Sequence, residues 1–327
     1  MEPIKTCRVR LKMTKSLYNK KNKVYDLIND EYKELLWGLR LINLEETWSK
    51  ISNLDLCNIK IGLIDSGVDR NHEDLKNIVI EGFNFIDNSK DTTDHFGHGT
   101  RVAGIIGAEK NNKIGIAGVA SGVQIVPLKV MDHRGKANIK NIIKALEWCM
   151  NNDIDIINLS LGYYKDCLNI LTNKNSQDYF IEEEIVSELI KKSVPIISAV
   201  GNGYGKETQY PAAYSSVISV ASCGIKLSPF HLYASPKNNK CKKDTIYAPG
   251  EYIYTTDIRG NYVYDFGSSM ACGFVTGAIA LLKSQNKVLS PKKLKNLLLD
   301  HSKKITTPNE DIKFLNVDNA FNELQGF

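Results

Sequence analysis

The sequence lacks the marks of several large classes of protein. Its seven cysteines are an odd number and include no C-x-x-C pair, which argues against both a disulfide framework and a zinc site. No apolar run approaches the roughly 18 residues that a membrane span needs, and no apolar core of a signal peptide follows the charged N-terminus. We therefore expect a reducing, cytoplasmic compartment and no membrane partner.

A large excess of one charge is also missing. The net charge is +5 over 327 residues, and the lysines are scattered apart from small clusters at 20–23 and 240–243. A solvated surface explains this pattern better than a nucleic-acid partner does. The content of 43% hydrophobic and 24% charged residues is ordinary for a globular chain, and the length allows one large domain or two smaller ones.

What the sequence does contain is three short glycine-bearing segments, each around one reactive side chain. Asp65 lies in I-D-S-G-V-D, His98 in H-G-T-R-V-A-G and Ser269 in G-S-S-M-A-C-G. A serine hydroxyl attacks a carbonyl carbon only when a neighbouring imidazole takes its proton, and a carboxylate keeps that imidazole in the useful tautomer. The order Asp, His, Ser is one of three chain orders in which this set occurs.

Four further motifs strengthen the pattern and carry a resemblance to a family. They are N-N-K-I-G-I-A-G-V-A at 111–120, I-N-L-S-L-G at 157–162, S-A-V-G-N-G at 198–203 and Y-A-P-G at 247–250. Together with the reactive segments, they resemble the subtilisin-like serine proteases over about residues 37–301. The resemblance implies a serine endopeptidase that works through an acyl-enzyme. It fits a dedicated peptidase that removes leaders inside the cell, with a general turnover protease as the alternative.

The resemblance also implies the role of each reactive group. Ser269 would be the nucleophile, and His98 would be first its general base and then the acid toward the leaving amine. Asp65 would orient the imidazole and stabilise its cation. Asn202 and the backbone N–H of Ser269 would bind the oxyanion, although an asparagine between two glycines is also typical of a left-handed turn.

Other readings of these positions are open. Ser268 or Ser269 could be a simple N-cap of the helix that follows, but this would not explain the Asp and His segments. His95 competes with His98, yet only His98 precedes the G-T pair that begins a closely packed helix. The remaining acidic side chains nearby, Asp69 and Asp94, are interpreted as loop carboxylates.

The expected substrate is a peptide or protein segment in extended conformation. It would pair as an extra strand along Ser160, Leu161 and Gly162, the mode in which a peptide adds to a sheet edge. Gln209 and Ala212 are placed at the floor of the specificity pocket, and a glutamine there would make the pocket more polar than an apolar slot.

A structural calcium ion is expected as well, with no cofactor for the chemistry. Calcium prefers several side-chain and carbonyl oxygens, and the segment 110–116 resembles the family's strong calcium loop. The ligands that the resemblance implies are Asp74, Lys110, Asn112, Ile114 and Ile116. The last family ligand would come from Lys33 or Glu34, so this chain departs from the pattern there.

Helix and strand signals alternate along the chain with short connections, which predicts an α/β fold. Strands are expected at 60–64, 124–130, 154–158, 195–200 and 217–221, and helices at 98–108, 138–151, 181–192 and 270–284. Such alternation indicates a doubly wound, mostly parallel sheet with helices on both faces, whose ligands sit at the carboxyl ends of the strands. A weak helical pattern covers 24–36, while 163–177 is poor in signal and 226–243 is predicted to be an exposed loop.

An N-terminal extension followed by one domain is expected. Residues 1–36 would be an N-terminal extension, either a short pro-segment that is trimmed off or a permanent arm packed on the body. Residues 37–327 would form the peptidase domain.

Three residues depart from the family pattern. Gly273 and Phe274 stand where the family has a proline and a histidine, and Arg101 replaces a histidine. These changes keep one rival open, a catalytically impaired fold that only binds peptides. A second rival is a metal-dependent hydrolase built on Asp65, His95 and His98, for which no H-E-x-x-H helix is present.

Overall fold

The structure of the protein is a computed structural model that describes residues 26–164, 176–227, 230–307 and 311–326. The strands in these ranges are β1 (Lys60–Asp65), β2 (Phe83–Asn84), β3 (Gln124–Lys129), β4 (Ile156–Leu159), β5 (Ile196–Ala199), β6 (Ile218–Leu227), β7 (Phe230–Ala234), β8 (Ile246–Pro249), β9 (Ile253–Asp257), β10 (Asn261–Asp265), β11 (Lys303–Thr306) and β12 (Asp311–Phe314).

The helices in the same ranges follow a 3-10 turn at Lys33–Leu35. They are α1 (Trp37–Leu41), α2 (Glu45–Lys50), α3 (Asn53–Leu56), α4 (His98–Gly107), α5 (Ile139–Met150), α6 (Ser176–Lys191), α7 (Ser268–Gln285), α8 (Pro291–Asp300) and α9 (Val317–Gln325). Within these ranges, no helix combines the length and the apolar character needed to cross a membrane.

A ten-stranded sheet forms the centre of the described molecule. Its order is β11-β12-β8-β6-β5-β4-β1-β3-β2, with β7 paired to β6, and β9 and β10 form a separate hairpin. The strands from β2 across to β12 run parallel to their neighbours, whereas β7 and β11 are antiparallel. The predicted α/β fold with a mostly parallel sheet is confirmed.

β1 lies where the strand order reverses, because the chain continues to β3 on one side of it and to β4 on the other. Its side chains are buried on both faces: Ile61 and Leu63 belong to one apolar core and Ile64 to the other. This double burial is why the strand is a continuous apolar run. A crevice at such a reversal is the usual binding place of an open α/β sheet.

Most predicted elements occur within a few residues of their expected bounds. Asn138 caps α5 with its side-chain oxygen, which accepts from the N–H of Lys140 at 3.0 Å. β6 is longer than expected because it continues to Leu227 to pair with β7.

Two predictions were wrong. The segment 226–243, expected as an exposed loop, contains the end of β6, β7 and two buried asparagines, Asn238 and Asn239. The weak helical pattern at 24–36 corresponds, in its described part, to a segment with a 3-10 turn at Lys33–Leu35 rather than to a helix. Most of 163–177 lies outside the described residues.

Residues 26–36 pack against the body. Ile28 and Asp30 are buried, and the N–H of Tyr32 donates to the carbonyl of Gly115 at 2.8 Å. The carboxylate of Asp30 accepts from the N–H groups of Asn111 at 3.0 Å and Asn112 at 3.3 Å.

Candidate active site

Asp65 and His98 form a direct pair. Asp65 ends β1 and is fully buried, and its Oδ1 lies 2.7 Å from Nδ1 of His98. Because a carboxylate only accepts, Nδ1 carries the proton and Nε2 is left as the basic nitrogen. The same oxygen accepts from the N–H of Ser66 at 2.7 Å. The side chain of His98 is 18% exposed, so the ring reaches the surface of the crevice.

The glycines of the two motifs allow this pair to form. Gly97 precedes α4 with φ +99° and Gly67 has φ +101°, a region that favours glycine. A Cβ on Gly99 would collide with the carbonyl of Gly67 and would lie 3.2 Å from the Cβ of Asp65. The end of β1 and the first turn of α4 therefore touch backbone to backbone.

Asp94 fixes the start of α4. Its carboxylate accepts from the N–H groups of Phe96 at 2.9 Å and Gly97 at 2.8 Å, and from the N–H and Oγ1 of Thr100 at 3.0 and 2.7 Å. It satisfies donors that the helix leaves unpaired. The sequence interpretation as a loop carboxylate missed this capping role, for which the spacing from Asp94 to Thr100 is the only signal.

Negative charge surrounds the imidazole. Burial alone would lower the pKa of His98, but the charge and hydrogen bond of Asp65 outweigh it. The more distant carboxylates of Asp265 and Asp94 act in the same direction, and the net result raises the pKa above its ordinary value of 6.5.

Ser269 lies in the first turn of α7. Its Oγ donates to the carbonyl of Ser160 at 2.9 Å, and within the described residues no hydrogen bond joins it to His98. Ser160 follows β4, the neighbour of β1, so Ser269 is hydrogen-bonded at the strand end next to the one that carries Asp65. The expected Ser–His hydrogen bond is not formed in this arrangement, and such contacts often form only with substrate bound.

Asn202 has its side-chain oxygen tied back. Oδ1 accepts from the N–H of Ser268 at 2.9 Å and from its Oγ at 3.1 Å. This turns Nδ2 outward, and Nδ2 makes no hydrogen bond to any described residue. A Cβ on Gly267 would lie 2.7 Å from Nδ2, so the G-S-S motif needs its glycine. The N–H and the hydroxyl of Ser268 thus fix the orientation of the Asn202 amide.

A cleft opens beside these groups. Its described lining comprises Ser160, Leu161, Tyr164, Ala199, Gly201, Asn202, Gly203, Lys206, Gln209, Ser268 and Ser269. Gln209, one of the two residues expected at the pocket floor, lines this cleft. Ala212, the other, does not, because it is fully buried. Tyr164 and Lys206 were missed, since neither belongs to a motif.

The predicted substrate strand borders the cleft. The main chains of Leu161 and Gly162 form no hydrogen bond with any described residue, whereas Tyr163 pairs with Tyr210 in both directions at 3.1 and 2.9 Å. Among the described residues, the main chains of Leu161 and Gly162 therefore stay unpaired beside the cleft. A Cβ on Gly162 would lie 2.8 Å from the Cβ of Gln209, which explains the glycine.

Asn239 braces the turn that carries Asn202. Its Oδ1 accepts from the N–H of Gly203 at 2.7 Å, and its Nδ2 donates to the carbonyl of Val200 at 2.9 Å and to the hydroxyl of Tyr164 at 2.9 Å. Its own N–H donates to the carbonyl of Gly201 at 3.0 Å. The turn is held on both sides of Asn202.

The three departures from the family pattern have local partners. Arg101 forms ion pairs with Asp257 at 3.0 Å and Asp265 at 3.1 Å, tying α4 to the β9–β10 hairpin. α7 continues through Gly273, where a Cβ would lie 3.0 Å from Ile105 of α4. Phe274 is buried, and a Cβ on Gly38 would lie 2.5 Å from its ring.

The expected calcium loop surrounds Asp74 but does not fit a bound ion in this arrangement. Asp74 accepts from Nδ2 of Asn112 at 2.8 Å, from the N–H of Ile116 at 2.8 Å and from the hydroxyl of Tyr262 at 2.9 Å. The oxygen of Asn112 instead accepts from the N–H of Ile114 at 2.8 Å. Donors, rather than oxygen ligands, face the carboxylate.

Of the two candidates for the last ligand, Lys33 donates from Nζ to the carbonyl of Ile28 at 3.1 Å, and an ammonium group offers no lone pair to a calcium ion. Within the described ranges, no group of three or more His, Cys, Asp or Glu side chains could hold a metal ion. His95 is exposed, and no hydrogen bond or ion pair between described residues joins it to Asp65 or His98, so the metal-hydrolase interpretation gains no support.

A buried Asp–His pair at the end of a parallel strand, with a serine at the start of a helix beside the next strand end, is the arrangement typical of serine peptidases. Comparison with known proteins places the chain more narrowly. The model of the Subtilase family matches residues 57–327, and the chain belongs to that family. It is a serine-type endopeptidase.

Relatives and solved structures agree with this assignment. The chain is 35% identical to the major intracellular serine protease of Bacillus subtilis over 276 residues, which cover 81% of this chain and 80% of that protein. It is 31% identical to thermitase of Thermoactinomyces vulgaris, over 80% of this chain and 87% of that one.

The fold matches two solved structures. One is a cold-adapted subtilisin-like serine proteinase, with a TM-score of 0.70, 27% identity and coverage of 86% of this chain and 98% of that one. The other is the nisin leader peptidase NisP of Lactococcus lactis, with a TM-score of 0.72, 23% identity and coverage of 89% and 94%. The latter likeness concerns the fold alone.

Proposed function

We propose that Ser269, His98 and Asp65 are the catalytic triad of this endopeptidase. The observation that carries the proposal is the 2.7 Å bond between Nδ1 of His98 and buried Asp65, at the strand end next to the one where Ser269 is hydrogen-bonded to Ser160. Substrate binding would turn the hydroxyl of Ser269 from the Ser160 carbonyl to Nε2 of His98. His98 then removes the proton as Oγ attacks the scissile carbonyl carbon.

The oxyanion would be bound by two donors. Nδ2 of Asn202 faces outward, and the N–H of Ser269 is one of those left unpaired at the start of α7. His98 returns the proton to the leaving amine, which leaves an acyl group on Ser269. A water molecule, deprotonated by His98, releases the acid product and restores the serine.

The test is the variant Ser269→Ala. We expect peptide cleavage to fall by more than about 10³-fold and labelling by a fluorophosphonate to disappear, while the thermal unfolding curve stays close to that of the parent. Ser284→Ala, at the far end of the same helix, is the matched control. Cleavage retained by a pure Ser269→Ala preparation would exclude Ser269 as the nucleophile.

The biological role we propose is processing of a restricted set of substrates, such as leader removal, in the cytoplasm. Support comes from the polar, partly filled cleft around Gln209, and from the name of the intracellular relative. Cys149 and Cys272 are buried thiols without disulfides, as a reducing compartment allows.

The partner would be an extended peptide at residues 160–162. On the other side of this strand lies a second hollow, whose lining includes the apolar side chains of Met131, Ile139 and Ile142.

A peptide-library digest read by mass spectrometry separates the candidate roles. A narrow consensus supports processing, and a broad one indicates general turnover instead. Peptide binding without cleavage by the parent chain would point to the impaired, binding-only fold.

We also propose that residues 26–36 remain attached as an arm of the body. The burial of Ile28 and Asp30 and the bond from Tyr32 to Gly115 support this. Any trimming would then occur before residue 26, which N-terminal sequencing of the active enzyme would reveal.

A further inference from the structure

We propose that the cleft beside Ser269 selects peptides with a carboxylate side chain, Glu or Asp, immediately before the scissile bond. The inference rests on the proposed function, because it assigns the specificity of the same site. The evidence for it comes from three side chains of the cleft that lie outside the sequence motifs: Lys206, Tyr164 and Gln209.

Lys206 gives the cleft its charge. It is the only Lys, Arg, Asp or Glu in the described lining, and it forms no ion pair with a described residue. The neighbouring acid, Glu207, is bound by Lys240. Nζ of Lys206 lies 5.9 Å from the ring centroid of Tyr164, so the ammonium stands above the wall that Tyr164 forms.

Tyr164 adds a neutral donor. Its oxygen accepts from Nδ2 of Asn239 at 2.9 Å, and its own O–H has no acceptor among the described residues. Because Asn239 is buried and also holds the turn at 200–203, this bond fixes the hydroxyl at the cleft. An acceptor on the substrate would complete the arrangement.

Gln209 closes the floor with an amide. Its Oε1 would lie 3.0 Å from a Cβ on Gly162, and the side chain makes no hydrogen bond to a described residue. The side chain of Gln209 therefore fills part of the space beside Gly162, and its amide offers N–H donors to a bound substrate.

The alternatives fit less well. A large apolar side chain would cover the amide of Gln209 and the hydroxyl of Tyr164 without replacing the bonds that water gives them. A basic side chain would face Lys206 with no described acid in the lining to offset the repulsion. A neutral amide could pair with Gln209 but would gain nothing from the charge. A carboxylate uses all three groups.

The experiment compares four peptides that differ only in the residue before the scissile bond: Glu, Gln, Lys and Leu. We expect the full-length enzyme to cleave the Glu peptide about tenfold faster, in kcat/KM, than the Gln peptide, since a charge-assisted bond is roughly twice as strong as a neutral one. The advantage should shrink as salt is raised, because the ammonium is exposed.

The variant Lys206→Glu should reverse the order of the Glu and Lys peptides, and Lys206→Met should bring Glu and Gln to near equality. The control is Lys303→Glu, the same charge change at an exposed position on β11, which should leave the ratios unaltered. A preference for Leu, Lys or Gln in the parent enzyme overturns the inference. So does a Glu preference that survives Lys206→Glu.

Fluorophosphonate labelling separates this failure from failure of the proposed function. An enzyme that labels at Ser269 and cleaves with another preference contradicts only the specificity. An enzyme that neither labels nor cleaves any of the four peptides contradicts the triad, and the specificity falls with it.

Discussion

At the scale of the residue, hydrogen bonds within the protein fix the orientation of the polar groups at the site. Oδ1 of Asn202 is bonded to Ser268, so only its N–H donors face the cleft. Oδ1 of Asp65 is bonded to Ser66 and His98, so the imidazole has one tautomer. Preorganised groups of this kind stabilise developing charge without reorganising during the reaction.

The pH dependence follows from the charges around His98. In the proposed mechanism the neutral ring is the base, and the nearby carboxylates raise the pKa of His98 above 6.5. We therefore expect the rising limb of kcat/KM against pH to have its midpoint above 6.5. Asp265→Asn should move that midpoint down, because one of the charges that favour the cation is removed.

Asp300→Asn, an exposed change at the end of α8, serves as the control and should leave the midpoint in place. A midpoint at or below 6.5 in the parent would contradict the raised pKa of His98. By linkage, the raised pKa also means that protonated His98 stabilises the fold below pH 6.5, a contribution that is lost as the pH rises through the folded value.

At the scale of the element, the turn at 200–203 depends on a segment distant in sequence. Asn239→Ala removes three side-chain bonds, to Gly203, Val200 and Tyr164. Since buried groups left without partners cost about 1–3 kcal/mol, we expect the free energy of unfolding to drop by roughly that amount. Fluorophosphonate labelling of Ser269 should slow about tenfold, as Asn202 loses its fixed position.

Asn152→Ala removes an exposed bond to the carbonyl of Trp148 and is the matched control. It should change neither quantity. If Asn239→Ala lowers stability while the labelling rate stays the same, the role of Asn239 is structural only.

The loop at 110–116 is a second element with an unexpected anchor. Because protein donors satisfy Asp74, and Asp30 accepts from the loop, we expect the melting temperature to be the same in EDTA and in millimolar calcium. Tyr262→Phe should lower the free energy of unfolding by about 1 kcal/mol, and Tyr204→Phe, at an exposed ring, should not. A melting temperature that rises with calcium would restore the ion to this loop.

Local sequence patterns predicted some elements of this fold and missed others. β1 and α4 were predictable because an apolar run and a glycine-bounded helix start are local signals. The segment 226–243 was not, because its Pro, Asn and Lys are typical of a loop and the buried bonds of Asn238 and Asn239 reach residues far away in the chain. The places of Lys206 and Tyr164 in the cleft could not be predicted either, because they too depend on contacts with residues distant in the chain.

At the scale of the whole molecule, the proposed base and nucleophile lie on two helices from distant parts of the chain. α4 carries His98 and α7 carries Ser269, and Gly273 lets them approach. The family resemblance predicted that the segments of His98 and Ser269 come together. The departures at Arg101 and Phe274 could be explained only from the contacts that these side chains make in the structure. Arg101 forms ion pairs with the β9–β10 hairpin, and Phe274 packs against α1.

The contact between Phe274 and Gly38 bears on how the enzyme can be produced. The family model begins at residue 57, yet Trp37 donates from Nε1 to the carbonyl of Tyr252 at 3.2 Å, and Trp48 to that of Val119 at 2.9 Å. A recombinant version cut at the family boundary would expose the ring of Phe274 on α7. Truncation at that point should give an aggregating, inactive product, so an expression clone has to start upstream of α1.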